Sequence, residues 1–185
     1  MKQATDPWFL RPEQPADAGE LDALIRSAFA QNPHSRQTEA AIVGLLREAR
    51  ALALSLVAQA GSVQSPGPLL GHAAFVEVTI SGGACGWFGL GPLSVLPQHQ
   101  GAGIGTELVR QGLRALQQQG ASGCVVLGEP AYYGRFGFRS TPALQLPGAP
   151  PGCFLVRPFA PVVPMGTVSL HAAFQLAPAQ DWTFP

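Results

Sequence analysis

Apolar residues recur at two periods along this chain, and the two periods divide it into helices and strands. Leu21, Leu24, Ile25, Ala28 and Phe29 follow a helical spacing. Asp17 stands as N-cap, with Glu20 three residues on as in a capping box. A second helix follows "QNPHS", with Ile42, Leu45, Leu46 and Ala49 on one face. The best helix begins near Gly105: Leu108, Val109, Gly112, Leu113 and Leu116 form its apolar stripe, and Gly120 suits its C-terminal stop. Strand patterns fall at 8–11, 51–59, 69–80, 87–96 and 121–128, with weaker ones at 153–157 and 167–174. Residues 61–68, "GSVQSPGP", read as a turn or flexible loop. The order predicts an α/β (α+β) fold: one mixed, mostly antiparallel sheet flanked by helices.

With 185 residues, the chain suits one domain over 1–185, with a core at about 8–140 and a Pro-rich part, 141–185, that completes the sheet. It is 46% hydrophobic and 12% charged, with formal net charge zero, which argues against disorder and against nucleic acid as a partner. No apolar run reaches the ~18–20 residues of a membrane helix, and the N-terminus has no secretory pattern. Cys85, Cys124 and Cys153 have no metal-ligand spacing and read as buried free thiols. The expectation is a cytoplasmic protein without a metal.

Candidate chemistry centres on "Gln100-Gly-Ala-Gly-Ile-Gly-Thr106", where a strand hands over to a helix. A helix start leaves N–H groups unpaired with partial positive charge, and glycines clear the approach to them. The natural ligand is a phosphate. A P-loop is excluded because no Lys follows the last glycine, and the spacing is GxGxG rather than the dinucleotide GxGxxG. A tight helix–strand packing turn is the alternative without a ligand.

The stretch Gln100–Gly105 matches Q/R-x-x-G-x-G/A, and Tyr133-Gly-Arg-Phe-Gly137-Phe138 matches Y-x-x-x-G-F. Together they resemble the GCN5-related N-acetyltransferases (GNAT), in particular their YhbS-like subgroup, from about Phe9 to Phe138. The resemblance implies the acyl-CoA N-acyltransferase fold with splayed central strands, and acetyl-CoA as cosubstrate. It implies that Gln100, Gly101, Ala102, Gly103, Ile104, Gly105 and Thr106 form the pyrophosphate loop. Leu93, Ser94 and Val95 would pair through their backbone with the pantetheine arm, on a strand bulged at Gly91-Pro92, where Pro inside a central strand fits a locally broken ladder. Tyr133 would be the general acid, since a phenol of pKa ~10 can protonate a thiolate. Tyr132 reads as core.

Where relatives carry an Asn and a small residue before that Tyr, this chain has Val126 and Glu129. No general base stands out. Glu77 is the candidate; His72, at odd separation on the same strand, points to the other face; Glu129 is near the Tyr element. The implied function is acetyl-CoA-dependent transfer of an acetyl group, directly from the thioester, to an amine of a small molecule or protein. The alternative is a catalytically silent acyl-CoA-binding sensor or interaction module. The expected partners are the amine substrate and, at most, a second copy, since the sequence is compatible with a monomer or a homodimer.

Overall fold

The computed structural model describes residues 7–32 and 35–176. Trp8–Pro12 forms β1, Ala18–Phe29 α1, Glu39–Glu48 α2, Leu52–Ser62 β2, Ser65–Glu77 β3 and Thr79–Ile80 β4. Trp87–Val95 forms β5, Ile104–Gln118 α3, Gly123–Leu127 β6 and Pro130–Tyr133 α4. Leu144–Gln145, Phe154–Pro158 and Gly166–Ser169 form β7, β8 and β9. The main sheet has the order β1-β2-β3-β5-β6-β8, antiparallel except for the parallel β5–β6 pair. A crossover through α3 links that pair, as a parallel connection requires.

Several expectations are corrected. The supposed loop at 61–68 is mostly strand, since Gly61 pairs with Pro66 and Ser62 with Ser65 across a tight turn. The expected strand 69–80 divides at Val78: β3 stays in the main sheet, and β4 joins β9 and β7 in a second, three-stranded sheet. The C-terminal part therefore adds only β8 to the main sheet; β7 and β9 build the second one. The expected strand 167–174 stops at Ser169, and Ala172–Leu176 turns into a 3-10 helix. Residues 177–185 of the Pro-rich part lie outside the described residues.

The capping box does not form. The Asp17 carboxylate takes the Arg11 guanidinium at 2.6 and 2.8 Å and accepts the Gln14 N–H at 2.7 Å, while Glu20 accepts the Leu69 N–H at 2.7 Å. Tertiary partners outcompete the local cap and tie α1 to β1 and β3. On α2, Leu45 is exposed; Ala40, Ile42, Val43 and Leu46 form the buried face.

Helix α3 covers one face of the sheet. Its stripe of Leu108, Val109, Leu113 and Leu116 is buried against Leu56, Ala58, Ala73 and Phe75. Gly112 makes this approach possible, because a Cβ there would lie 2.1 Å from Phe75 Cζ. Helices α1 and α2 cover the opposite face, where Leu21, Leu24, Ile25 and Val43 pack on Val57 and Leu69.

Candidate active site

The parallel ladder of β5 and β6 has four rungs, Trp87–Gly123 to Leu90–Val126, and then stops. Strand β5 runs on alone along β3, with Leu93, Ser94 and Val95 opposite Ala73, His72 and Gly71. Between Leu90 and Leu93 it advances three residues while β3 advances two, so Gly91-Pro92 forms a bulge. The Gly91–Pro92 peptide is cis. The two strands separate beyond this point and leave a slot whose β5 edge has no neighbour on the β6 side.

At the far end of the slot lies the glycine loop. Pro97–His99 makes a 3-10 turn, and Gln100 braces the loop by donating its side-chain N–H to the Val95 carbonyl at 3.2 Å. The three glycines do two jobs. Gly101 and Gly103 take φ of +78° and +87°, a left-handed conformation that side chains disfavour. Gly105 is already helical, but a Cβ there would lie 2.9 Å from the Tyr132 hydroxyl. The result is a cavity of about 410 Å³ around the start of α3, whose first N–H groups face it with the positive end of the helix dipole.

This cavity is lined by Leu93, Val95, Gln100, Gly101, Gly103, Gly105 and Thr106, and by Tyr132 and Arg135. Three candidates stand differently. The Ile104 side chain is buried in the core, where it meets Gly71. Ser94 points away from Leu93 and Val95, and its buried Oγ has no partner. Ala102 is not on the cavity wall.

Tyr132 lines the cavity and is only half buried, which corrects its reading as a core residue. The Arg135 guanidinium lies over its ring, 4.0 Å from the centroid. Arg135 brings a fixed positive charge to the wall and was missed in the sequence, where it reads as a spacer within Y-x-x-x-G-F. Tyr133 turns the other way. Its ring fills the space above Gly128, where a Cβ would lie 2.2 Å from Tyr133 Cε2, and it meets Phe138 edge-on at 6.0 Å. Gly128 is two residues past the last β5–β6 rung, so Tyr133 stands where the strands part. Burial pushes the Tyr133 phenol up, and Tyr132 and Cys124 beside it add to the shift.

The base candidates fall elsewhere. Glu77 ends β3, exposed, in a shallow cleft with Arg50, Thr79 and His171. Glu129 precedes α4 and is not on the slot wall. His72 is fully buried on the α1–α2 face, with Nε2 2.9 Å from Ser55 Oγ. Ser55 gives its own proton to the Glu13 carboxylate, which also binds Arg47 at 2.6 Å. Ser55 therefore accepts from His72 Nε2–H, and Nδ1 is left as a lone pair without a partner. Burial, aided by the Arg47 charge, pushes the His72 pKa down to about 3. It stays neutral and is too weak a base for an ammonium.

Of the cysteines, only Cys124 is buried; Cys85 is exposed and Cys153 half buried, which corrects the expectation of three buried thiols. Burial pushes the Cys124 and Cys153 thiols up, away from nucleophilic thiolates. Among the described residues, no group of His, Cys, Asp and Glu could hold a metal ion, and no helix is long and apolar enough to cross a membrane.

A mixed sheet with one prematurely parted parallel pair, and a glycine-lined helix start at the end of the gap, is the architecture of an acyl-CoA N-acyltransferase fold. Comparison with known proteins agrees. Residues 56–140 match the Acetyltransferase (GNAT) domain. The uncharacterised N-acetyltransferase YhbS of Escherichia coli K12 is 39% identical over 129 residues, 70% of this chain and 72% of its own. A GNAT family acetyltransferase from Brucella melitensis, solved with acetyl-CoA, superposes with a TM-score of 0.80 at 44% identity, over 91% of this chain and 99% of its own. The E. coli YhbS structure, solved with CoA, superposes at 0.81 with 33% identity, over 95% and 96%. The chain belongs to the GNAT family of acetyltransferases.

Proposed function

We propose that this chain transfers an acetyl group from acetyl-CoA directly to an amine. The parting of β5 from β6 next to the glycine loop carries this reading, since it joins a slot for an extended arm to a site for its phosphates. The residues fit such a donor: the left-handed Gly101 and Gly103 and the bare Gly105 leave a cradle that Cβ atoms would narrow. Acetyl-CoA would supply an activated thioester.

The backbone of Gln100–Thr106 would hold the pyrophosphate, and Arg135 would add charge at its edge. Backbone groups of Leu93–Val95, exposed where β6 departs, would pair with the arm and donate to the thioester oxygen. Tyr133 would give its proton to the departing thiolate. Its raised pKa keeps the phenol protonated across the neutral range, which suits a donor and not a base. Glu77 lies in a neighbouring cleft and would act on the amine through water. A cytoplasmic location accords with three unpaired cysteines.

Thiol release from acetyl-CoA across a panel of amines, with CoA affinity measured by calorimetry, tests the reading. Amine-dependent release is expected. CoA binding with no release on any amine would make the chain a silent acyl-CoA-binding module.

A further inference from the structure

The second mouth of the slot opens on the opposite face of the sheet, into a cavity of about 240 Å³. Gly89–Gly91 of β5 and Val125–Leu127 of β6 form its floor, so it meets the slot where the strands part. Its walls come from Val76 and Val78, from Phe154 on β8, and from Leu170 and Phe174 after β9. Among the described lining residues the only titratable side chain is His171.

His171 Nδ1 accepts the Ala173 N–H at 3.1 Å. The neutral ring therefore carries its proton on Nε2, and it offers the cavity an N–H rather than a negative charge. Glu77 lies outside this lining, in the adjoining cleft that shares Val76, Val78 and His171, so an ammonium inside the apolar cavity would give up water without a carboxylate on the wall to pair with it, which is unfavourable. The amine must arrive neutral. At pH 7 a lysine-type amine of pKa ~10.4 is neutral about once in 2,500 molecules, and a peptide-type α-amine of pKa ~7.8 about once in seven. The volume lies just below the ~300–1,000 Å³ range of ordinary ligand sites, which limits the occupant to about one apolar side chain.

We infer that the acceptor is a small α-amine of low pKa carried on an apolar body, such as the amino group of an apolar amino-acid amide. The inference rests on the acetyltransferase reading above. The reaction is balanced by that donor: the amine nitrogen bonds the acetyl carbon, the C–S bond breaks, the thiolate leaves as thiol with the Tyr133 proton, and the proton lost by the amine nitrogen restores Tyr133 through water.

The test measures thiol release from acetyl-CoA at pH 7 with leucinamide, phenylalaninamide, Nα-acetyllysinamide and spermidine. The two apolar amides should exceed the two cationic amines in kcat/KM by about 350-fold, following their neutral fractions. Ser169→Asp, an exposed cavity-wall position, places a carboxylate beside the site and should narrow that ratio at least several-fold. CoA affinity of the variant by calorimetry confirms that slot and fold persist; Gln175→Glu, also exposed on the wall, serves where Ser169→Asp does not fold. Preference for Nα-acetyllysinamide or spermidine, or a ratio unmoved by both carboxylates, would overturn the inferred acceptor class while leaving the acetyltransferase standing. No release with any of the four, while CoA binds, would overturn the acceptor class; the acetyltransferase reading falls with it only if the wider amine panel also gives no release.

Discussion

The two mouths of the β5–β6 gap are built from different materials. On the α3 face much of the wall is backbone, from glycines, a helix start and the unpaired edge of β5, with the side chains of Leu93, Val95, Gln100, Thr106, Tyr132 and Arg135 beside it. On the other face it is side chain, drawn from β3, β5, β6, β8 and the segment after β9. Backbone N–H groups recognise a phosphate whatever else the ligand carries, whereas side chains select by shape and charge. Under the proposed function, the contrast teaches that donor recognition would be written in a contiguous motif and acceptor recognition in a scattered one.

The hardest way to break the contrast is to fill the backbone mouth. A Cβ at Gly103 meets no protein atom within 4 Å, so Gly103→Val projects into the cavity rather than into the fold. Its φ of +87° also strains any replacement, which turns the helix N–H groups away. The loss of one or two charge-assisted hydrogen bonds is worth about 10- to 100-fold, and the CoA Kd by calorimetry should rise to the upper end. Unchanged affinity in a folded variant would mean that the loop is only a packing turn.

Next in size is Tyr133→Phe, which keeps the ring over Gly128 and removes the proton. General-acid contributions run ~10²–10⁴-fold, and a thiolate is a fair leaving group, so kcat should fall about 10- to 100-fold with the KM for acetyl-CoA nearly unchanged. Tyr132→Phe is the counterpart at the phosphate end, where a change should appear in CoA affinity and not in kcat. A kcat loss in Tyr132→Phe alone would exchange the two roles.

On the α1–α2 side of the sheet His72 is buried beside Glu13, and its role is separable from chemistry by pH. Its folded pKa of about 3 lies below the unfolded ~6.5, so the neutral form is built into the fold. The unfolded chain gains a proton below pH 6.5 that the folded chain refuses. Stability is full above pH 6.5 and is lost as pH falls toward 3, by about 1.4 kcal/mol between pH 7.5 and 5.5. Urea unfolding at the two pH values should show that loss, and His72→Gln should show about 1.4 kcal/mol less of it. A neutral-range limb in the kcat profile that vanishes in His72→Gln would instead make His72 a base.

The same contrast explains what the sequence made legible. The glycine loop, α3 and the Gly91-Pro92 bulge each lie within a few consecutive residues, and each carries a local physical signature. The bulge announces itself by a Pro where a central strand tolerates none. The second mouth has no such signature, because Val76, Val125, Phe154 and Phe174 look like ordinary core until the topology brings them together. Asp17 and Glu20 show the limit from the other side: their spacing satisfies the capping rule, yet Arg11 and the Leu69 N–H are better partners in space. The motif ranks Tyr133 above Tyr132 for chemistry, but it carries no sign that Tyr132 lines the cavity. Their separation depends on Gly128 leaving room for one ring and Gly105 for the other's hydroxyl.

The smallest effect sharpens the contrast most. Arg135 is the only charged side chain on the described wall of the backbone mouth. It is exposed and stacks on Tyr132, 4.0 Å from the ring centroid. An exposed charge is screened within ~8–10 Å at physiological salt, and exposed pairs contribute about 0.2–1 kcal/mol. Arg135→Ala should therefore raise the CoA Kd only about two- to fivefold at low salt, and the difference should shrink as salt is added. Arg135→Lys keeps the charge but loses the flat guanidinium that stacks on the ring, so it should recover the salt dependence without the full affinity. A loss above about tenfold for Arg135→Ala, insensitive to salt, would show that a side chain dominates this mouth as well.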